Sequence, residues 1–173
     1  MFLQTERLEL LGPSEKENEA SLNFLYRMYS DPRVMEHLGG PLSKEIVRER
    51  WENCSPHWEQ HGFGPCVVRL KASGELVAAL KLSEIEFEGE KVLEIGWMVL
   101  PELQRQGIAF EAIQACVRYA RNRFPTMGIV AFPDTANNRS NRMCEKLGMV
   151  RRKEFSLPWL GKVFNAVYWR IGK

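Results

Sequence analysis

Residues 92–124 read VLEIGWMVLPELQRQGIAFEAIQACVRYARNRF, and a change of period inside this stretch decides the fold. Val92 to Leu100 is rich in β-branched, aromatic and large apolar residues, the composition of a mostly buried strand. Pro101 ends it, because proline has no N–H to give to a sheet ladder. From Ile108 the apolar positions fall on one stripe of an amphipathic helix: Ile108, Ala109, Ala112, Ile113, Cys116, Val117 and Ala120. Gln104-Arg105-Gln106-Gly107-Ile108-Ala109 makes the link. The first turn of a helix leaves its N–H groups without intrahelical partners, and with the positive end of the helix dipole they form an anion site. Gly107 lets a phosphate approach the backbone and tolerates positive φ, Ala109 is small, and Arg105 adds charge. The same residues also suit an ordinary strand-to-helix connection in which Gly107 only makes the turn.

Upstream, Phe2 to Leu11 reads as a strand ended by Gly12-Pro13. Glu17 to Ser30 is expected as a helix with Leu22, Leu25, Tyr26 and Tyr29 on one face, broken at Asp31-Pro32. Asp31 is suited to cap a short turn holding Val34 and Met35. After the Gly39-Gly40-Pro41 loop, Ser43 starts a helix expected to run from Lys44 to Gln60. Pro65 to Lys71 and Leu76 to Leu82 are strands joined by the turn Ala72-Ser73-Gly74-Glu75. A second turn, Phe87-Glu88-Gly89-Glu90, leads into the strand at Val92, so three strands form an antiparallel meander.

Downstream, Met127 to Phe132 is a short apolar strand, which with the preceding strand and helix makes a parallel crossover. Asn137 to Leu147 is a helix ended by Gly148. Phe155 to Trp159 and Lys162 to Ile171 form a last hairpin. The sum is a mixed α/β (α+β) domain: a sheet of six or seven strands, antiparallel at the start with a central parallel pair, flanked by about four helices.

Composition narrows the classes. The 173 residues suit one domain, 45% apolar and 27% charged, which can bury a core without staples. A net charge of +2 gives no support for nucleic acid as a partner. Cys54, Cys66, Cys116 and Cys144 lack CxxC spacing and read as reduced thiols in the cytoplasm. His37, His57 and His61 show no ligand spacing, so no metal is expected. No apolar leader and no run of about 20 apolar residues is present, which disfavours secretion and membrane spanning.

Two motifs about 30 residues apart carry a resemblance. Gln104-x-x-Gly107-x-Ala109 resembles the acetyl-CoA-binding signature of the GNAT superfamily of N-acetyltransferases. Asn137-Asn138-Arg139-Ser140 followed by Glu145-Lys146-Leu147-Gly148-Met149 resembles that family's second segment, and most of all the branch of ribosomal-protein N-terminal acetyltransferases. Thr5-Glu6-Arg7-Leu8 resembles the opening of the same branch. The resemblance spans nearly the whole chain in the right order. It implies a central parallel pair that splays apart and takes a pantetheine arm in the gap.

The resemblance also implies roles. The backbone of Met98, Val99 and Leu100 would pair with pantetheine, with one N–H, Val99 foremost, polarising the thioester carbonyl. Gln104, Arg105, Gln106, Gly107, Ile108, Ala109 and Phe110 would hold the pyrophosphate. Asn137 would bond pantetheine or brace a strand, and Arg139, Arg142 and Lys146 either reach the CoA phosphates or form a solvated basic face. Glu94, a carboxylate inside an apolar run, is the candidate base, or else a strand glutamate facing water or paired to a lysine such as Lys81. Where many members carry an acid tyrosine, this chain has Cys144, with no histidine in its segment to activate it, so Cys144 reads as core. Ser140 stands in as the hydroxyl for the leaving thiolate, or as a helix-terminus serine bonding local backbone.

Glu84, Glu86, Glu88 and Glu90 suit an acidic rim for a cationic amine or a solvated edge. Trp51, Trp58, Trp97 and Trp159 suit core filling or an apolar slot. The expected activity is acetyl transfer from acetyl-CoA to a primary amine by a cytoplasmic monomer or homodimer. A catalytically idle acyl-CoA-binding module is the alternative, and a nucleotide-phosphate domain is weaker, because Gly-Lys-Ser/Thr is absent.

Overall fold

The computed structural model describes residues 2–13, 18–159 and 162–172. Its sheet contains β1 (Leu3–Gln4), β2 (Leu8–Leu11), β3 (Cys66–Leu70), β4 (Leu76–Phe87), β5 (Glu90–Val99), β6 (Ile129–Ala131), β7 (Val150–Trp159) and β8 (Lys162–Ile171). The order is β1-β2-β3-β4-β5-β6-β8-β7, with β5 and β6 the parallel pair among antiparallel neighbours. The helices are α1 (Asn18–Ser30), α2 (Pro32–Met35), α3 (Lys44–Glu52), α4 (Ser55–His61), α5 (Ile108–Arg123) and α6 (Asn138–Lys146). The expected start at Glu17 and the side chain of Trp159 lie outside the described residues.

The mixed architecture expected from the sequence is the one found, with two local corrections. The opening stretch is a hairpin, not one strand, which adds a strand to the sheet. Thr5 causes the reversal: its hydroxyl accepts the Leu8 N–H at 3.0 Å, and its own N–H donates to the Leu8 carbonyl at 2.9 Å. The helix expected over 44–60 is two. Pro56 cannot donate a helical hydrogen bond, and its ring crowds the carbonyl four residues back, that of Glu52, where α3 stops.

Each sheet face buries its own cluster. On one face, Leu8, Leu80, Leu93 and Ile95 pack against Ile113 and Cys116 of α5. On the other, Leu22 and Met28 of α1 and Val47 and Trp51 of α3 pack against Val67 and Ala79. The β4–β5 turn places Glu88 and Gly89 at φ +53° and +79°, the left-handed pair that a two-residue hairpin needs. Its tip lies on the β6–β8–β7 end of the sheet. Phe87 meets Phe132 at 4.8 Å and Tyr168 at 4.9 Å between ring centroids, Glu88 pairs with Lys153, and Glu90 pairs with Arg170 at 2.9 Å.

Beside β4, His57 and His61 of α4 stack at 4.4 Å, with Phe63 edge-on to His57 at 5.4 Å. Glu84 lies 3.9 Å from His61 and also holds Lys91 at 2.8 Å. Burial lowers the His57 pKa from 6.5, as do the His61 and Lys81 charges, with Glu84 opposing. The folded state therefore binds this proton less readily than the unfolded chain. The stability is present above pH 6.5 and is lost as pH falls below it. The drop in thermal midpoint between about pH 7.5 and about pH 5 should shrink in His57→Gln, as read by calorimetric scans.

Candidate active site

The site begins where β5 loses a neighbour. β5 and β6 pair only at Leu93–Ile129 and Glu94–Val130, and beyond these the strands part. Leu93 N–H points across the pair and donates to the Gly128 carbonyl at 2.9 Å. Alternate residues of a strand share that direction, so the N–H groups of Ile95, Trp97 and Val99 face the gap. Met98 faces the other way, toward Ala79 of β4. Of the three backbone positions named from the sequence, Val99 is the one that presents its N–H to the opening, while Leu100 lies past the ladder and is buried.

A short 3-10 turn, Pro101–Leu103, then carries the chain to the linking loop. Arg105 and Gly107 both take positive φ, +65° and +77°. For Gly107 this conformation costs nothing, whereas any side chain there is strained. The first intrahelical bond of α5 runs from Glu111 N–H to the Gly107 carbonyl at 3.0 Å. The N–H groups of Ile108, Ala109 and Phe110 thus have no partner inside the helix. Ile108 is buried and anchors the turn, whereas Ala109 and Phe110 are half-buried.

The two motifs meet through Gln104. Its amide Nε2 donates to the Val99 carbonyl at 3.3 Å, and its Oε1 accepts from Arg139 Nη1 at 2.7 Å. Lys146 lies over the Phe110 ring at 4.1 Å, which ties α6 to the start of α5. Arg142 is exposed. Asn137 caps α6, its Oδ1 accepting the Ser140 N–H at 3.1 Å. Ser140 is half-buried, and its hydroxyl makes no hydrogen bond among the described residues.

An open cavity of about 440 Å³ lies at this junction, lined by Pro101, Gln104, Arg105 and Arg139 with Arg33 and Glu36. The last two sit at α2, and sequence reading missed them. Asp31-Pro32-Arg33 carries only a capping signal, which the fold uses: Asp31 accepts the Arg33 N–H at 2.8 Å. Asn141 was missed as well. Its amide donates to the Asp134 and Asn137 carbonyls, both at 2.9 Å, and its oxygen accepts from Trp169 at 2.8 Å. It fixes the loop before α6 to β8.

Glu94 sits on the opposite sheet face, on the same face as Met98, between the α1–α3 cluster and the aromatic cluster of Val92, Val130 and Tyr168. Its side chain is 22% exposed and pairs with Lys81 of β4. In the α1–α3 cluster, Tyr29 of α1 bonds to Arg50 of α3, and burial raises the Tyr29 pKa above 10.0 despite that cation. Cys144 is fully buried in the α5 cluster, and burial pushes its thiol up to about 12, which leaves no thiolate for chemistry at neutral pH.

The glutamate row is already matched with cations. Glu84 pairs with Lys91, Glu88 with Lys153 and Glu90 with Arg170, so only Glu86 keeps an exposed carboxylate outside the ion pairs of the described residues. Trp51 is core and bonds Asn18 at 2.7 Å, Trp58 bonds the Pro65 carbonyl at 2.8 Å, and Trp97 packs half-buried on the α5 cluster. Among the described residues no group of three His, Cys, Asp or Glu is arranged to hold a metal, and no helix is long and apolar enough to cross a membrane.

The residues at the β5–α5 junction fit a coenzyme A diphosphate: three unpaired N–H groups at the start of a 16-residue helix, a glycine in left-handed backbone and two flanking guanidiniums. Comparison with known proteins bears on the family of the chain. The family model described as "Acetyltransferase (GNAT) domain" matches residues 7–150. YnaD of Bacillus subtilis, described as an uncharacterized N-acetyltransferase, is 37% identical over 175 residues, covering 99% of this chain and 96% of the relative. The crystal structure of a GNAT-family acetyltransferase from Bacillus anthracis has a TM-score of 0.78 at 26% identity, covering 99% of this chain and 98% of that one. Spermidine N-acetyltransferase from Vibrio cholerae, solved with CoA and spermine, has a TM-score of 0.70 at 16% identity, covering 96% and 95%, a likeness of fold.

Proposed function

Because this chain belongs to the GNAT acetyltransferase family, and so is an acyl-CoA-dependent N-acyltransferase, we propose that it moves an acetyl group from acetyl-CoA to a primary amine by direct attack in the cytoplasm. The acceptor is a protein N-terminus, a polyamine or a small amine. One observation carries the assignment of the site. Gln104 joins the open end of β5 to Arg139, so both motifs border one cavity at the α5 N-terminus. Four unpaired thiols agree with a reducing compartment.

Acetyl-CoA when bound supplies an acyl carbon activated as a thioester. The N–H groups of Ile108, Ala109 and Phe110, with Arg105 and Arg139 of the cavity lining and the exposed Arg142 of α6, would hold its diphosphate. Gln104 and Gln106 keep the loop in shape, Gln104 through its bonds to Val99 and Arg139 and Gln106 through its amide bond to the Glu102 carbonyl at 3.4 Å. Val99 N–H donates to the acyl oxygen, and Asn137 braces the opposite wall. Glu94 accepts a proton from the acceptor amine, which frees the lone pair that forms the C–N bond. Lys81 must leave Glu94 for this to happen, and the acceptor's own ammonium is the charge that replaces it. The C–S bond breaks, the second proton that the nitrogen sheds as the amide forms goes to the departing sulfur, and Ser140 Oγ–H hydrogen-bonds that sulfur.

The test is calorimetric titration with acetyl-CoA and CoA, then an amine panel followed by thiol release. Micromolar or tighter binding and turnover of at least one amine class are expected. A folded protein that binds neither ligand would remove the cofactor site from this reading.

A further inference from the structure

The first turn of α5 carries a carboxylate next to the place where an anion is to be received. Glu111 follows directly on the three unpaired N–H groups of Ile108, Ala109 and Phe110. A free carboxylate there suits the helix dipole, but it also competes with and repels a phosphate approaching the same turn. In this fold Glu111 is not free. Thr5 Oγ1–H donates to Oε1 at 2.5 Å, Arg7 N–H donates to Oε1 at 3.2 Å, and Arg7 Nε donates to Oε2 at 2.6 Å. Burial pushes the Glu111 carboxyl up, but these hydrogen bonds and the Arg7 charge outweigh it. The group is held below its ordinary value and stays ionised at neutral pH.

The same guanidinium reaches the loop. Arg7 Nη1 donates to the Gln106 carbonyl at 3.2 Å, and Nη2 lies 3.4 Å from where a Cβ on Gly107 would stand. One side chain thus cancels the charge of Glu111 and fixes the peptide beside Gly107. Arg7 is 104 residues away from Glu111 in sequence and lies in the turn between β1 and β2.

We infer that Arg7 is a positioning residue for the anion-receiving loop, neutralising Glu111 and pinning Gln106-Gly107 so that the α5 N-terminus accepts a diphosphate. This role rests on the reading of the loop as the coenzyme A cradle. A simple tie between the β1–β2 turn and α5 would need the hydrogen bonds but not the charge balance. The two roles therefore give different results when the carboxylate is removed.

The experiment measures CoA dissociation constants by calorimetry at low and moderate salt, with a thermal midpoint for each variant. Arg7→Gln should weaken CoA binding about tenfold, by leaving Glu111 uncompensated beside the phosphates. Glu111→Gln alone should bind as tightly as the wild type or tighter. The double variant should recover part of the affinity that Arg7→Gln loses, the share due to the uncompensated Glu111, while the share due to the lost Gln106 tie remains. Wild-type affinity in Arg7→Gln, or a double variant as weak as Arg7→Gln, would overturn the role. Should Arg7→Gln not fold, Glu111→Gln decides alone, because a mere tie predicts weaker binding from it and charge balance does not. No CoA binding by the folded wild type would instead bring down the cradle reading, and this role with it.

Discussion

Gly107→Trp should lose acetyl-CoA binding by about a hundredfold or more while the protein remains folded. Two separate costs meet at this residue. Its φ of +77° is left-handed, so any side chain pays roughly 1–2 kcal/mol in backbone strain. A Cβ here would also stand 3.4 Å from Arg7 Nη2, so an indole crowds that side chain and the turn whose N–H groups begin α5. Hydrogen bonds to a charged group contribute about 1.5–3 kcal/mol each, and about 1.4 kcal/mol is a factor of ten in affinity. Losing access to two such donors accounts for the expected effect without any further assumption.

The strain can be measured apart from the blockage. Gly74 has nearly the same backbone, φ +74°, with nothing within 4 Å of an added Cβ, and it lies in the β3–β4 turn away from the cavity. Gly74→Trp should therefore lower the thermal midpoint by a similar amount and leave acetyl-CoA binding intact. Equal loss of binding in both variants would mean that general destabilisation explains the result. Unchanged binding in Gly107→Trp would mean that the diphosphate does not sit on this turn.

The parts of this fold that were legible in the sequence are those whose cause is local. The run from Val92 to Leu100, the change of period at Ile108 and the single glycine between them write out strand, loop and helix over 33 residues in a row. Ser43 and Asp31 were readable as caps because a cap acts two or three residues away, whereas Asn137, read as the first helical residue, is the cap of α6. Two local signals were there and lost to a broader pattern. The apolar spacing of 44–60 masked Pro56, and Leu3, Leu8 and Leu10 masked the reversal at Thr5. The rest depends on residues that only the folded chain brings together. Arg7 and Glu111 are 104 residues apart, Gln104 and Arg139 are 35 apart, and Lys153 meets Glu88 across 65. No window along the sequence contains both members of these pairs. The alternating glutamates of 84–90 read as an acidic rim or a solvated edge; Lys91, which balances Glu84, lies in the same hairpin, but Lys153 and Arg170, which balance Glu88 and Glu90, come from β7 and β8. Lys81 and Glu94 are the intermediate case. They are diagonal neighbours in one hairpin register, Lys81 facing Gly96 and Ser83 facing Glu94, so counting back from the turn is enough to pair them.

That pairing sets the second large effect. Glu94→Gln should lower kcat/KM at neutral pH by roughly a hundredfold or more, within the range that positioned acid–base groups contribute. The loss should shrink as pH rises, because the acceptor then arrives already deprotonated. With a lysine-like amine of pKa ~10.4, roughly one molecule in 2500 is neutral at pH 7, so dependence on the base is steep. With an N-terminal amine of pKa ~7.7–8.0 the neutral fraction is far larger, and the loss should be correspondingly smaller. Glu94 is also half of an ion pair with its side chain 22% exposed, and breaking such a pair can disturb the sheet without touching chemistry. Lys81→Met separates the two roles. It breaks the same pair but leaves the carboxylate in place, so a structural role predicts equal losses from both variants and no change with pH. A base predicts that Glu94→Gln loses far more, that its loss alone is recovered at high pH, and that Lys81→Met keeps most of the rate because its carboxylate is open to the acceptor's ammonium.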